Sequence, residues 1–118
     1  MIYSSSPDYA HSIEVRDPHR LVFVSGTMGL DVAGTAPSTL DEQLVLVWDN
    51  LRSILAEHDL TLDHVVRVTS YLRDAAYAEA NAAARVAALN GRRVPTTAIV
   101  VGTLEPSWLV EIEVIAAG

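Results

Sequence analysis

The sequence contains no cysteine and no lysine, and each absence removes a class of chemistry. Without cysteine the chain can form no disulfide, no thiolate nucleophile and no zinc or iron–sulfur site that depends on thiolate ligands. Without lysine it can form no Schiff base, cannot attach pyridoxal phosphate and carries no P-loop. All eight basic residues are arginines.

Positive surface charge and long apolar runs are also lacking. A formal net charge of −7 leaves no basic face, so we expect no nucleic-acid partner. No apolar run approaches the roughly 20 residues that span a bilayer. The first residues, MIYSSSPDYAHS, lack the pattern of a signal peptide. These features predict a cytoplasmic protein that does not contact membranes.

What is present is enough apolar sequence for one core. Half of the 118 residues are hydrophobic and only 19% are charged, which is typical of a globular chain. No linker, repeat or low-complexity block divides it. We therefore expect a single domain over residues 1–118.

Periodicity predicts an α+β fold. Alternating and β-branched patterns predict five strands, at residues 12–15, 20–26, 64–74, 96–104 and 109–117. Period-3.6 patterns predict two helices, one from Leu40 to about His58 with Thr39 as its cap and one over 75–91, ending at Asn90-Gly91. The order β-β-α-β-α-β-β suggests two helices on one face of a mixed sheet. The other face is too apolar for water, which predicts an oligomer.

Two acids lie within the last predicted strand. Glu111 and Glu113 are two residues apart, so both side chains point to the same face of the sheet. For Glu113 we expect a partly solvated carboxylate. For Glu111 we consider an acid/base group at the edge of a cleft.

Other candidate groups give weaker patterns. Ser25-Gly26 ends the second predicted strand, where a glycine lets a ligand approach the backbone, although VSGTMG is not a nucleophile elbow. The four histidines show no metal-binding spacing, so we expect no metal. Tyr9 and His11 would point the same way in an extended segment.

Several segments together resemble one family. In order, they are YAHS, VFVSG, DEQLVLVWDNLRSILAEHDLTLDHVVRVTSYLRD, YAEAN, VPTT and VEIEVIA. The set resembles the YjgF/Rid (reactive intermediate deaminase) family from about Tyr9 to Ala116. The resemblance implies a chorismate-mutase-like sandwich, a barrel-like homotrimer and a ligand cleft at each subunit interface. It also implies hydrolysis of a small enamine or imine to a keto acid and ammonia, with no cofactor.

The resemblance also implies site residues. Tyr9, Ser25, Gly26, Asn81 and Glu111 match positions that line the cleft, and Glu111 matches the acid that activates the attacking water.

One matched position differs from the family pattern. Deaminating members carry a substrate-clamping arginine where this sequence has Thr97. A guanidinium would give charge-assisted hydrogen bonds of about 1.5–3 kcal/mol each, whereas threonine offers one neutral hydroxyl. We therefore expect Thr97 to line a cleft that takes a ligand other than the usual carboxylated enamine. Whether Arg92 or Arg93 replaces the missing arginine stays open.

Four functions remain at this level. The first is an enzyme that hydrolyses, tautomerises or cyclises a reactive imine or enamine, with Glu111 as acid/base and Ser25, Gly26 and Thr97 as hydrogen-bonding groups. The second is a ligand-binding or regulatory trimer without catalysis, and the third is an orthodox enamine deaminase. Endoribonuclease activity or translation inhibition, attributed to some relatives, is opposed by the charge of −7.

Overall fold

The computed structural model describes residues 1–118 as one four-stranded mixed sheet with two helices. The strands are β1 (Leu21–Met28), β2 (Val65–Leu72), β3 (Thr96–Val100) and β4 (Val110–Ala117). The helices are α1 (Leu40–Ala56) and α2 (Ala78–Ala88). The predicted α+β class is confirmed.

Strand order places β1 and β3 at opposite edges of the sheet. The order is β1-β4-β2-β3, with β4 antiparallel to both β1 and β2. β2 and β3 are parallel, and α2 forms the crossover that a parallel pair requires. This topology separates the residues at the two edges, with consequences for the site.

Both helices cover one face of the sheet. Alternate residues of β4, including Ile112 and Val114, are buried in a core with Val47, Leu51 and Leu55 of α1. The alanines of α2 pack against the same core and, being small, let the helix approach closely. The core therefore lies on one side only.

The start of α1 and the end of α2 follow the predicted caps, whereas α2 begins at Ala78 and not at residue 75 because Ala75–Tyr77 form a 3-10 turn. The Thr39 hydroxyl accepts the Glu42 N–H at 3.3 Å and donates to the Glu42 carboxylate at 2.8 Å. At the end of α2, Asn90 and Gly91 have φ of 53° and 75°, the left-handed conformation of a helix C-cap. Neither helix is long and apolar enough to cross a membrane.

The strand predicted at residues 12–15 does not form. These residues are exposed and make no strand pairing, although Arg20 exchanges two backbone hydrogen bonds with Gly118. Four residues without a neighbouring strand have no ladder to join, so their alternating pattern is not sufficient. β3 also ends at Val100 rather than Leu104, because its partner β2 ends at Leu72.

The second face of the sheet is uncovered in the single chain, and we call it the open face. It carries the residues of β1, β2, β3 and β4 that alternate with the buried ones. Its large apolar side chains are exposed, among them Leu21, Phe23 and Ile99.

Candidate functional site

The edge strand β1 contains a bulge at Ser25-Gly26. Val24 pairs with Val114 and Thr27 pairs with Ile112, so Ser25 and Gly26 together oppose one residue of β4. A bulge leaves one residue outside the regular ladder and redirects the neighbouring side chains, a feature common beside active sites. Two of the predicted site residues therefore occupy the one irregular point of this strand pair.

Glu111 lies directly against this bulge. A Cβ built on Gly26 would lie 2.9 Å from Glu111 Cδ, and closer still to Oε2. Only glycine leaves room for the carboxylate there. The side chain of Glu111 is half-buried and accepts no hydrogen bond within the chain. The predicted grouping of Gly26 with Glu111 thus corresponds to a contact, and the carboxylate is free to act on a ligand.

Glu113 has a different environment. Its carboxylate accepts a hydrogen bond of 2.5 Å from the Tyr71 hydroxyl. This bond to Glu113 raises the pKa of Tyr71, so the phenol stays protonated and remains the donor. The two acids share a face, as predicted, but only Glu111 has a carboxylate without a partner in the chain.

Tyr9 is located at the opposite edge of the sheet. Ala10 forms an isolated parallel bridge with Pro95, and its N–H donates to Val94 O at 3.2 Å. Arg93 Nε donates to Tyr9 O at 3.0 Å. The N-terminal segment is therefore held beside the start of β3. The rings of Tyr9 and His11 lie 5.7 Å apart in an edge-on contact, consistent with the predicted shared direction.

Asn81 belongs to the same side of the molecule as Tyr9. It is buried on α2, and its side-chain oxygen has no hydrogen-bond partner. Arg85, one helical turn later, binds Asp8 through its guanidinium with an N–O distance of 2.8 Å. Asn81 and Arg85 share a helix face, which places Asn81 near the segment that carries Tyr9.

Thr97 is exposed on β3, and a cation contacts it. Arg67 of β2 donates from Nη2 to Thr97 Oγ1 at 2.7 Å. Arg92 donates to Leu62 O and Val65 O, whereas Arg93 binds the N-terminal segment. Neither Arg92 nor Arg93 contacts Thr97, so the guanidinium at this position comes from Arg67 and not from the two arginines nearest in sequence.

Arg67 and Tyr71 could have been identified from the sequence. Val68, Ser70 and Leu72 are buried, and period-two alternation then assigns Arg67, Thr69 and Tyr71 to the open face. The alternation gives the face, but not the direction in which the long Arg67 side chain extends.

Apart from Asn81, which lies on α2, the predicted residues thus form two groups, which we call the two half-sites. Ser25, Gly26 and Glu111 form the β1 half-site, and Tyr9 and Thr97 form the β3 half-site. β1 and β3 are three strand spacings apart, roughly 14 Å. A small ligand cannot contact both edges of one sheet, so a single chain does not bring the two groups of predicted residues together.

Comparison with known proteins shows which family this chain resembles. The sequence model of the family described as Endoribonuclease L-PSP matches residues 3–118. The RutC family protein YjgH of Escherichia coli is 33% identical over 72 residues, covering 61% of this chain and 54% of YjgH. The match therefore spans about half the length of that curated relative.

Two solved structures share the fold over most of the chain. The Rid-family protein YyfB of Yersinia pestis, described as of unknown function, superposes with a TM-score of 0.87 and 26% identity. That match covers 99% of this chain and 92% of YyfB. Rv2704 of Mycobacterium tuberculosis, of the YjgF/YER057c/UK114 family, has a TM-score of 0.73 and 27% identity, with 83% and 79% covered. The chain therefore belongs to the YjgF/Rid family, whose sequence model is called Endoribonuclease L-PSP.

Proposed function

We propose that this protein is an enzyme that acts on a small reactive imine or enamine, in a cleft that two subunits of a homotrimer form together. The observation that carries the proposal is the Glu111 carboxylate, which has no partner in the chain and lies against the bulge at Gly26. Family membership supports a role in processing small-molecule intermediates.

Glu111 would act as the acid/base group. It removes a proton from a water molecule as the water oxygen adds to the carbon of the C=N bond, and it passes that proton to the imine nitrogen. In the resulting carbinolamine, Glu111 takes the hydroxyl proton and delivers it to the amino group while the C–N bond breaks, so the nitrogen leaves as ammonia. These steps give a carbonyl compound and ammonia without a cofactor, and they need only proton transfers. The same carboxylate could also move a proton in tautomerisation or cyclisation.

The two half-sites support a cleft between copies of the chain. If β3 of one copy lies beside β1 of the next, Tyr9 and Thr97 come near Glu111 of that neighbour. The two surfaces in such a contact differ, so the contact is heterologous, and repeated contacts of this kind form a closed ring when the rotation between copies allows it. The exposed apolar side chains of the open face, including Phe23 and Ile99, would become covered. We propose a ring of three subunits, as the family resemblance implies.

The sequence predicted that carboxylated ligands would be excluded, and the structure removes the reason for that prediction. It assumed that no positive charge reaches Thr97, but the guanidinium of Arg67 does. Our proposal therefore covers both neutral and carboxylated imines.

The test uses a neutral imine and its carboxylated counterpart, both generated in situ by an oxidase. We expect the native protein to accelerate ammonia release over buffer from at least one of them. General acid–base groups contribute about 10²–10⁴-fold, so Glu111→Gln should lose that factor. Glu57→Gln is the matched control and should keep the native rate, because Glu57 is exposed at the end of α1, outside both half-sites. Tight imine binding with no acceleration would instead support a non-catalytic ligand-binding trimer.

A further inference from the structure

Arg67 differs from the other arginines in its binding partner. Arg16, Arg52 and Arg85 form ion pairs, and Arg20, Arg73, Arg92 and Arg93 donate to backbone carbonyls. Arg67 forms no ion pair, and its guanidinium donates only to the neutral hydroxyl of Thr97. A guanidinium has five N–H donors, so most of its hydrogen-bonding capacity is unused.

The unpaired N–H donors of Arg67 matter because of where the guanidinium lies. Arg67 is half-buried on the open face, the face that a second copy would cover. A cation taken out of water without a counter-charge is destabilising, and a carboxylate that fits the planar fork removes the penalty. If a second copy covers this face, an anion bound by Arg67 would therefore be stabilising.

A cavity beside Arg67 has space for the rest of a small ligand. Its volume is about 310 Å³, and its walls include the apolar side chains of Phe23 and Ile115 together with Thr69. Glu113 also lines this cavity and would repel an anion. However, the Glu113 carboxylate accepts a hydrogen bond from Tyr71, whereas the Arg67 guanidinium extends the other way, toward β3 and Thr97.

We propose that Arg67 is a specificity-determining residue that binds the carboxylate of the substrate, with Thr97 holding its guanidinium in place. The inference rests on the proposed function and adds to it, because it assigns an acidic substrate to a cleft that Thr97 alone would leave without a positive charge. The cation comes from β2 and lies over the sheet. The substrate carboxylate is accordingly bound over the sheet, with its apolar part in the cavity.

The test is a binding measurement with two unreactive probes of the same shape, isobutyrate and isobutyramide. By calorimetry on the native protein, we expect isobutyrate to bind at least about tenfold tighter than isobutyramide, as a charge-assisted hydrogen bond implies. Arg67→Gln should abolish this preference, and Arg67→Lys should retain part of it because the charge remains without the planar fork. Thr97→Val should weaken isobutyrate binding without affecting isobutyramide.

Arg52→Gln is the matched control, because Arg52 lies on the exposed surface of α1 with its side chain 55% exposed. It should bind both probes as the native protein does. Equal binding of the two probes by the native protein, or a preference that survives Arg67→Gln, would overturn the assignment. So would inorganic phosphate that competes as well as isobutyrate, since the site would then favour tetrahedral anions.

The same variants separate this inference from the proposed function. Light scattering shows whether Arg67→Gln keeps the native oligomer. If both Arg67→Gln and Arg67→Lys dissociate, Arg67 belongs to the subunit interface and the proposal is wrong. Carboxylate preference without imine turnover would refute the proposed function and leave Arg67 as an anion-binding residue. Imine turnover without a carboxylate preference would support the proposed function and refute the assignment of Arg67.

Discussion

Gly26 and Glu111 lie so close together that one methyl group added to Gly26 would overlap the Glu111 carboxyl group. The contact joins the bulge of β1 to the only acid on the open face of β4 that has no partner. It explains why a glycine, and not merely a small residue, occupies position 26. Because of this contact, a substitution at Gly26 can move the Glu111 carboxylate without changing Glu111 itself.

Gly26→Ala should therefore reduce catalysis more than stability. The added Cβ would meet the far end of a flexible side chain, so Glu111 can rotate away at little cost to folding. A displacement of about 1 Å at a reacting group can cost 10²-fold, so we expect kcat to fall by about 10- to 100-fold. Ammonia release and a urea unfolding curve measure the two effects.

Gly102→Ala provides the control for this substitution. A Cβ at Gly102 meets nothing within 4 Å, so both activity and stability should stay at their native values. Unchanged kcat in Gly26→Ala would show that the proximity of Gly26 to Glu111 has no part in the reaction.

A charged residue on the open face should separate the subunits. Phe23 is 72% exposed in the single chain, and Phe23→Glu would place a carboxylate in the apolar surface that we expect to be covered. By light scattering we expect the native protein at three times the monomer mass and Phe23→Glu at the monomer mass. Imine turnover should be lost with the oligomer, because each cleft needs both half-sites.

Val45→Glu tests whether any exposed apolar residue would behave in this way. Val45 is 64% exposed on α1, on the helical side of the sheet. The variant should keep the native mass and turnover. A native protein that is monomeric and active would contradict the two-subunit cleft.

Some of these features could be predicted from the sequence because local patterns determine them. The period-3.6 stripe from Leu40 and the Thr39 cap predicted α1, and the period of two predicted that Glu111 and Glu113 share a face. Those patterns depend on neighbours within a few residues.

Features that depend on distant parts of the chain were not predicted. The pattern at 12–15 resembles a strand, but a strand needs a partner, and none pairs with it. The bulge at Ser25-Gly26 becomes visible only from the register with β4. The contact of Arg67 with Thr97 joins residues 30 positions apart, and the reach of a long side chain across two strands cannot be read from alternation.

The ion pair of Arg85 with Asp8 predicts a pH-dependent attachment of the segment that carries Tyr9. The Arg85 side chain is 5% exposed, and it donates to both the carboxylate and the backbone carbonyl of Asp8. Asp8→Asn should lower the free energy of unfolding by about 1–3 kcal/mol, because a buried guanidinium loses its counter-charge. The effect stays below that of a wholly buried pair because the Asp8 side chain is 35% exposed.

The pH dependence of this effect follows from the same contact. The hydrogen bond from Arg85 holds the pKa of Asp8 below its usual value. The ion pair therefore contributes its full stability above the unfolded pKa of about 3.9, and the contribution is lost as the pH falls through the lower folded pKa. Urea unfolding of the native protein and Asp8→Asn should show a constant difference near neutral pH that shrinks below about pH 4. Glu14→Gln, which removes an exposed pair with Arg16, should show no measurable difference at any pH. A difference for Asp8→Asn that persists undiminished in acid would mean that the side chain acts through shape or neutral hydrogen bonding and not through its charge.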